Sequence, residues 1–213
     1  MKIEVKNLSK KFKNVTVVDN VNISFKSGKI YGIVGANGSG KSVFLKMLCA
    51  FYIPTQGCIL QDGFDYIKAN SFPKDTRALI EIPSFIPSLT GYENLKLLAS
   101  IQNKITDADI VEALKKCNLY SEKDKKYGEY SLGMKQKLGI VQTIMENPQV
   151  IILDEPFNGI DEKSVKKIRD LLLKMKEQDK LIIITSHIKE DIKSIADETY
   201  KFEEGKLKKY NVK

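Results

Sequence analysis

Eight residues, Gly35-Ala36-Asn37-Gly38-Ser39-Gly40-Lys41-Ser42, stand between an apolar run of β character, Ile30 to Val34, and a helical pattern that begins at Val43. A strand that passes into a helix through so many glycines opens an α/β unit, and the G-x-x-x-x-G-K-S spacing gives the loop its chemistry. Glycines at 35, 38 and 40 permit backbone conformations that wrap N–H groups around phosphate oxygens. Lys41 can reach the β- and γ-phosphates, Ser42 can ligate Mg²⁺, and the positive end of the following helix adds to the field. The stretch therefore predicts a nucleoside triphosphate site built from Gly35, Ala36, Asn37, Gly38, Ser39, Gly40, Lys41 and Ser42.

The chain has 213 residues, 42% hydrophobic and 29% charged, enough for a full core and ordinary for a globular protein. Cys49, Cys58 and Cys117 are odd in number and form no C-x-x-C pair, so neither a disulfide framework nor a zinc site is expected, and a reducing cytosol is. Apolar runs such as Val150 to Leu153 fall far short of the roughly 20 residues of a membrane helix. Met1-Lys2-Ile3-Glu4 lacks the regions of a signal peptide, so a cytoplasmic location is expected. The formal charge is +8, yet Arg77 and Arg169 are the only arginines and the lysines are interspersed with acids. Solvated faces account for that better than a nucleic-acid partner. The basic end, Lys206 to Lys213, suits either acidic headgroups or a plain solvated terminus.

Along the chain, Ile3 to Leu8, Val15 to Val18 and Val21 to Phe25 alternate like antiparallel strands, and Cys58 to Gln61 with Asp62-Gly63 adds a hairpin piece. An N-terminal antiparallel β lobe is expected, with the phosphate-loop core, over residues 1–89. From Thr90 to about Asn147 the period lengthens to nearly four, which predicts an inserted α-helical subdomain over about 90–147, with Thr90 and Glu93 as a capping box and Thr106 opening a second helix. Val150 to Leu153 and Leu181 to Thr185 are continuous apolar runs, predicted as parallel strands buried on both faces. Between them Val165, Ile168, Leu171, Leu172 and Met175 share one helical face, making a βαβ crossover. The fold class is α/β with a mixed, largely parallel core sheet, completed by residues 148–213.

Asp154 and Glu155 follow the apolar Val150 to Leu153. A carboxylate at a strand end beside a phosphate loop is placed to hold Mg²⁺ through water, and its neighbour Glu155 to orient or deprotonate an attacking water. His187, the only histidine, follows the next buried strand, where α/β sites gather and its imidazole could bond a γ-phosphate.

These residues resemble the ATP-binding-cassette (ABC) ATPases, P-loop NTPases that serve as nucleotide-binding subunits of ABC transporters, and the resemblance spans nearly the whole chain. The family signature, commonly LSGGQ, is similar to Tyr130-Ser131-Leu132-Gly133-Met134, in which Ser131 and Gly133 match. The resemblance implies two ATP molecules between head-to-tail subunits, each held by one subunit's phosphate loop and the partner's Ser131 helix. It implies further that Phe12 stacks on adenine, that Asp161 lies in the loop crossing the dimer seam, and that His187 is the switch histidine. Expected partners are ATP, a second ABC ATPase subunit as a homodimer, and a separate membrane permease on whose inner face the chain sits.

Two motifs depart from the common pattern. Glu81, in Glu81-Ile82-Pro83, stands where most members have glutamine and would bring a carboxylate near Mg²⁺; Leu132 and Met134 replace a glycine and a glutamine of the signature. With Thr90-Gly91-Tyr92-Glu93-Asn94-Leu95, these departures resemble the ABC subgroup that exports or confers immunity to peptide antibiotics such as bacitracin and lantibiotics. A non-transport ABC ATPase acting on nucleic acid or the ribosome, and a non-hydrolysing regulatory cassette, remain as alternatives.

Overall fold

The computed structural model describes residues 1–81 and 83–211; Ile82 and the last two positions of the basic tail lie outside the described residues. The chain opens with two long antiparallel strands, β1 (Lys2–Phe12) and β2 (Val15–Lys26). β2 runs unbroken through what the sequence suggests are two pieces. Asn7 and Asn20, at φ 47° and 48°, accompany the register shifts between the Val5–Ile23, Leu8–Val21 and Lys10–Val18 pairs, so the ribbon bulges instead of ending. After β3 (Lys29–Val34) and α1 (Lys41–Leu48), β4 (Gln56–Gln61) and β5 (Phe64–Asp65) complete a sheet of order β2-β1-β4-β5. The Asp62-Gly63 turn joins them with both residues at positive φ, 49° and 85°, as a two-residue hairpin loop requires.

A second sheet is formed by β3, β6 (Thr76–Leu79), β7 (Val150–Asp154), β8 (Leu181–Ser186), β9 (Glu198–Glu203) and β10 (Lys206–Lys209), in the order β10-β9-β3-β8-β7-β6. It is parallel from β9 to β6, with β10 antiparallel at one edge. The basic tail is thus largely an edge strand whose lysines discourage further pairing. Pleating sends alternate residues to opposite cores. Ile151, Leu153, Ile182 and Ile184 join one apolar cluster, while Val150, Ile152, Leu181 and Ile183 join the other, which also takes in α1 and the β lobe.

The region after β6 is helical, as its period predicts: α2 (Gly91–Gln102), α3 (Asp107–Lys116) and α4 (Leu132–Ile144). Thr90 Oγ1 accepts from the Glu93 N–H while Glu93 accepts from the Thr90 N–H, and Asp109 accepts from the Thr106 N–H in the same way. Leu95, Ile110, Leu114, Leu138 and Val141 from these helices pack in the same cluster as Ile151 and Leu153. The helical segment therefore leans on one face of the sheet instead of building a core of its own. α5 (Glu162–Glu177) is the crossover from β7 to β8, burying Ile168, Leu172 and Met175, and the short α6 (Lys189–Lys193) follows β8.

Ile183 is fully buried at the centre of β8. Ile183→Ala should lower unfolding free energy by about 2–5 kcal/mol through lost apolar contact and the cavity left behind, read as a lower denaturant midpoint at unchanged slope in a urea titration.

Candidate nucleotide site

Parallel register brings three strand ends together: Val34 pairs with Ser186, and Asp154 with Thr185. The loops that leave β3, β7 and β8 consequently meet at one edge of the sheet, the usual position for α/β sites.

The Gly35–Ser42 loop passes directly into α1, which starts at Lys41, two residues before the expected Val43. Gly40 makes that entry possible. Its φ is 110°, and a Cβ there would lie 2.7 Å from the Val17 carbonyl oxygen of β2. The Lys41 side chain is 5% exposed and folds over its own loop, Nζ donating to the Gly35 (2.7 Å) and Ala36 (3.1 Å) carbonyls. Nζ also lies 3.4 Å from Glu155 Oε1. Ser39 Oγ and Glu155 Oε1 are buried without a hydrogen-bond partner among the described residues. Buried polar atoms are normally satisfied, so both mark a place where a polar ligand belongs. Asn37 and Gly38 lie exposed at the tip of the loop.

Asp154 ends β7, nearly buried, with both carboxylate oxygens occupied: Oδ2 accepts from Ser42 Oγ at 2.5 Å and Oδ1 from Thr185 Oγ1. Glu155 turns the chain out of the sheet in the left-handed region, φ 48°. Its N–H donates to the carbonyl (3.2 Å) and Oγ1 (3.1 Å) of Thr185, and its carbonyl accepts from Gln136 Nε2 at 3.1 Å. So anchored, the side chain presents Oε2 to the His187 N–H at 3.1 Å and to His187 Nδ1 at 2.7 Å.

Ser42, Lys41, Asp154, Glu155 and His187 are thus one cluster. Ser42 and Asp154 offer hard oxygen donors side by side, a set that fits Mg²⁺. Among the described residues no three His, Cys, Asp or Glu groups cluster as a self-sufficient metal site, as expected where substrate phosphates complete the coordination. Glu81, the third expected metal residue, lies on the same side of the site as Asp154. It borders a cavity of about 230 Å³ shared with Leu132, Gln136, Asp154, Glu155 and Asn158, but its carboxylate is paired with Lys46 of α1.

Phe12 is at the tip of the β1–β2 hairpin, opposite Val15. It is part-exposed, edge-on to Tyr52 at 5.5 Å, with Lys10 Nζ 5.0 Å from its ring centre. The remaining predicted residues form a second group. Ser131 caps α4, accepting from the Met134 N–H at 3.3 Å, and is solvent-exposed. At Gly133 a Cβ would meet the Gly159 carbonyl oxygen at 2.3 Å, so α4 packs backbone to backbone on the loop after Glu155. Asp161 caps α5, accepting from the Ser164 N–H at 2.9 Å, and lies 3.6 Å from Lys137 Nζ of α4. None of the hydrogen bonds among the described residues joins Ser131, Gly133 or Asp161 to the Gly35–Ser42 loop. Three contributors were not singled out from sequence: Thr185, Gln136 and Lys46. Thr185 and Gln136 are polar residues inside buried apolar patterns, the one signal that could have exposed them.

A parallel sheet with a phosphate loop, an acidic pair at the neighbouring strand end and a facing histidine defines a P-loop nucleotide-binding cassette. Residues 18–158 match the family model described as ABC transporter. The chain is 43% identical over 205 residues to the Uncharacterized ABC transporter ATP-binding protein YybJ of Bacillus subtilis (strain 168), covering 96% of this chain and 94% of that one. It is 40% identical over 207 residues to the Bacitracin transport ATP-binding protein BcrA of Enterococcus faecalis, covering 96% and 67%. The dimeric post-hydrolysis cassette MJ0796 bound to ADP and Pi superposes with a TM-score of 0.87 at 23% identity, covering 99% and 100%. The chain belongs to the ABC transporter family, as an ATP-binding cassette with the ATPase activity of that class.

Thr185→Val should cost about 1–3 kcal/mol, because it strips a partner from a buried Asp154 oxygen; chemical denaturation should show the loss, with Thr185→Ser close to the parent. The Ser164 N–H, chiefly, and Lys137 hold the Asp161 carboxyl below the usual aspartate value. A depressed folded-state value gives stability present above the unfolded-state value of about 3.9 and lost as pH falls below it. The destabilisation caused by Asp161→Asn should therefore be full at pH 7 and fade as pH falls below about 4, followed by thermal melts from pH 7 downward.

Proposed function

We propose that the chain binds MgATP at the Gly35–Ser42 loop and hydrolyses it to drive a membrane permease that exports, or gives immunity to, a peptide antibiotic or similar amphipathic molecule. One observation carries the hydrolytic part: Glu155 is held between Lys41 Nζ at 3.4 Å and His187 Nδ1 at 2.7 Å, beside Asp154 and Ser42. Arriving phosphates compete with the Gly35 and Ala36 carbonyls and with Glu155 for the Lys41 ammonium. Lys41 then neutralises phosphate charge and Glu155 is released to take a proton from water. His187 orients the Glu155 carboxylate and is placed to donate to a γ-phosphate oxygen. Ser42 and Asp154 would hold Mg²⁺, which supplies charge neutralisation at the phosphates. Phe12 supplies a face for adenine, since its part-exposed ring at the hairpin tip offers an aromatic surface on which a base can stack.

The open N-terminus of α4 at Ser131, with Gly133, supports a second contact to the γ-phosphate of a partner's nucleotide, where N–H groups and the helix dipole favour an anion. That arrangement makes the working unit a head-to-tail homodimer. No helix among the described residues is long and apolar enough to cross a membrane, so the membrane path is assigned to a permease partner and this chain to its inner face. Kinship with BcrA, named for bacitracin transport, supports the cargo class.

Glu155→Gln should reduce ATP turnover at least about a hundredfold while nucleotide affinity stays within a few-fold. Phosphate release measured beside equilibrium binding of a fluorescent ATP analogue checks this, and retained turnover would remove Glu155 as the base.

A further inference from the structure

Lys46 follows Ser42 by four residues, on the same side of α1. Its Nζ pairs with the Glu81 carboxylate and stands 5.4 Å from the Tyr52 ring centre, and Tyr52 meets Phe12 edge-on. The bond to Glu81 does most to hold the ammonium above the usual lysine value, with Tyr52 and Asp154 adding to it.

Glu81 occupies an unusual position. Its φ is 67°, a left-handed conformation that a residue with a side chain of this kind rarely adopts. The side chain is 64% exposed, so burial does not hold it there. It opens on the cavity lined by Asp154 and Glu155, which makes three carboxylates around one space. Asp154 is tied by Ser42 and Thr185 and Glu155 by His187 and Lys41, while the ion-pair partner of Glu81 is Lys46. An unpaired Glu81 would be drawn to any divalent cation at Ser42 and Asp154 and would become an extra ligand.

We propose that Lys46 is a positioning residue that restrains Glu81, keeping this carboxylate at the cavity edge and out of the metal's coordination. The inference rests on Ser42 and Asp154 being the metal position. It gives this cassette a carboxylate in reserve: the Lys46–Glu81 pair sets how tightly the divalent ion is held, and hence how readily it leaves with product. The pair also links the phosphate helix α1 to the segment leading from β6 into α2.

The test is a Mn²⁺ titration of full-length protein mixed one-to-one with a non-hydrolysable ATP analogue, following the free-ion electron paramagnetic resonance signal. Lys46→Gln should tighten Mn²⁺ binding about tenfold, and Lys46→Arg should stay within about twofold of the parent. In a Glu81→Gln background, Lys46→Gln should change affinity by no more than about threefold. The same change in both backgrounds, or none in either, overturns the role of Lys46. Asp154→Asn separates the two claims. If it leaves Mn²⁺ affinity unchanged, the metal position is wrong; if it weakens binding while Lys46→Gln does nothing, the metal position stands and the restraint on Glu81 falls.

Discussion

Glu155 sits between a cation and an imidazole, Lys41 at 3.4 Å and His187 at 2.7 Å, and these three residues come from three loops far apart in sequence. What holds them is the register of β3, β8 and β7. Because Val34 lies opposite Ser186 and Asp154 opposite Thr185, the chain leaves all three strands at the same level. A slip of one residue would turn Asp154 from the edge into one of the two cores and leave Ser42 without its partner. Register is enforced by burial on both faces: Ile151 and Leu153 belong to one cluster, Val150 and Ile152 to the other. The geometry of the candidate site is in this sense a product of apolar packing.

Around that cluster the polar contacts form a shell that fixes Glu155 from behind. Thr185 binds its N–H and Gln136 its carbonyl, so the left-handed turn at Glu155 is held from two elements, β8 and α4. α4 touches the same segment twice more, at Gly133 against Gly159 and at Lys137 against Asp161. These contacts tie the Ser131 end of α4 to the Glu155–Asp161 segment. On the proposed reading, a partner's nucleotide at Ser131 would have a direct physical route to Glu155.

The phosphate loop, the two long buried strands and the capping boxes were legible because each is local. Glycine spacing, continuous β-branched runs and Thr-x-x-Glu need no knowledge of the rest of the chain. The outer strands β6 and β10 and their neighbour β9 were not, since short strands with half-exposed residues and many charges carry little periodic signal. The pieces Val15 to Val18 and Val21 to Phe25 prove to be one strand, in which Asn20 takes a positive φ where the ribbon bulges. At the site, Glu155, Asp154 and His187 were visible from the strand ends that carry them. Thr185 and Lys46 were not, because their partners are 31 and 35 positions away and only the folded sheet makes them neighbours.

The central claim is that the triphosphate is enclosed jointly, by the Gly35–Ser42 loop of one protomer and the Ser131 helix end of the other. Asn37 and Ser131 are both exposed, whereas Cys49 and Cys117 are buried, so one protein carrying Asn37→Cys and a second carrying Ser131→Cys, each with Cys58→Ser, can be mixed and treated with a short bismaleimide. Mixed dimers linked in the presence of MgATP and not in its absence are the expected result. Failure to link with nucleotide bound, or equal linking without it, would contradict the account.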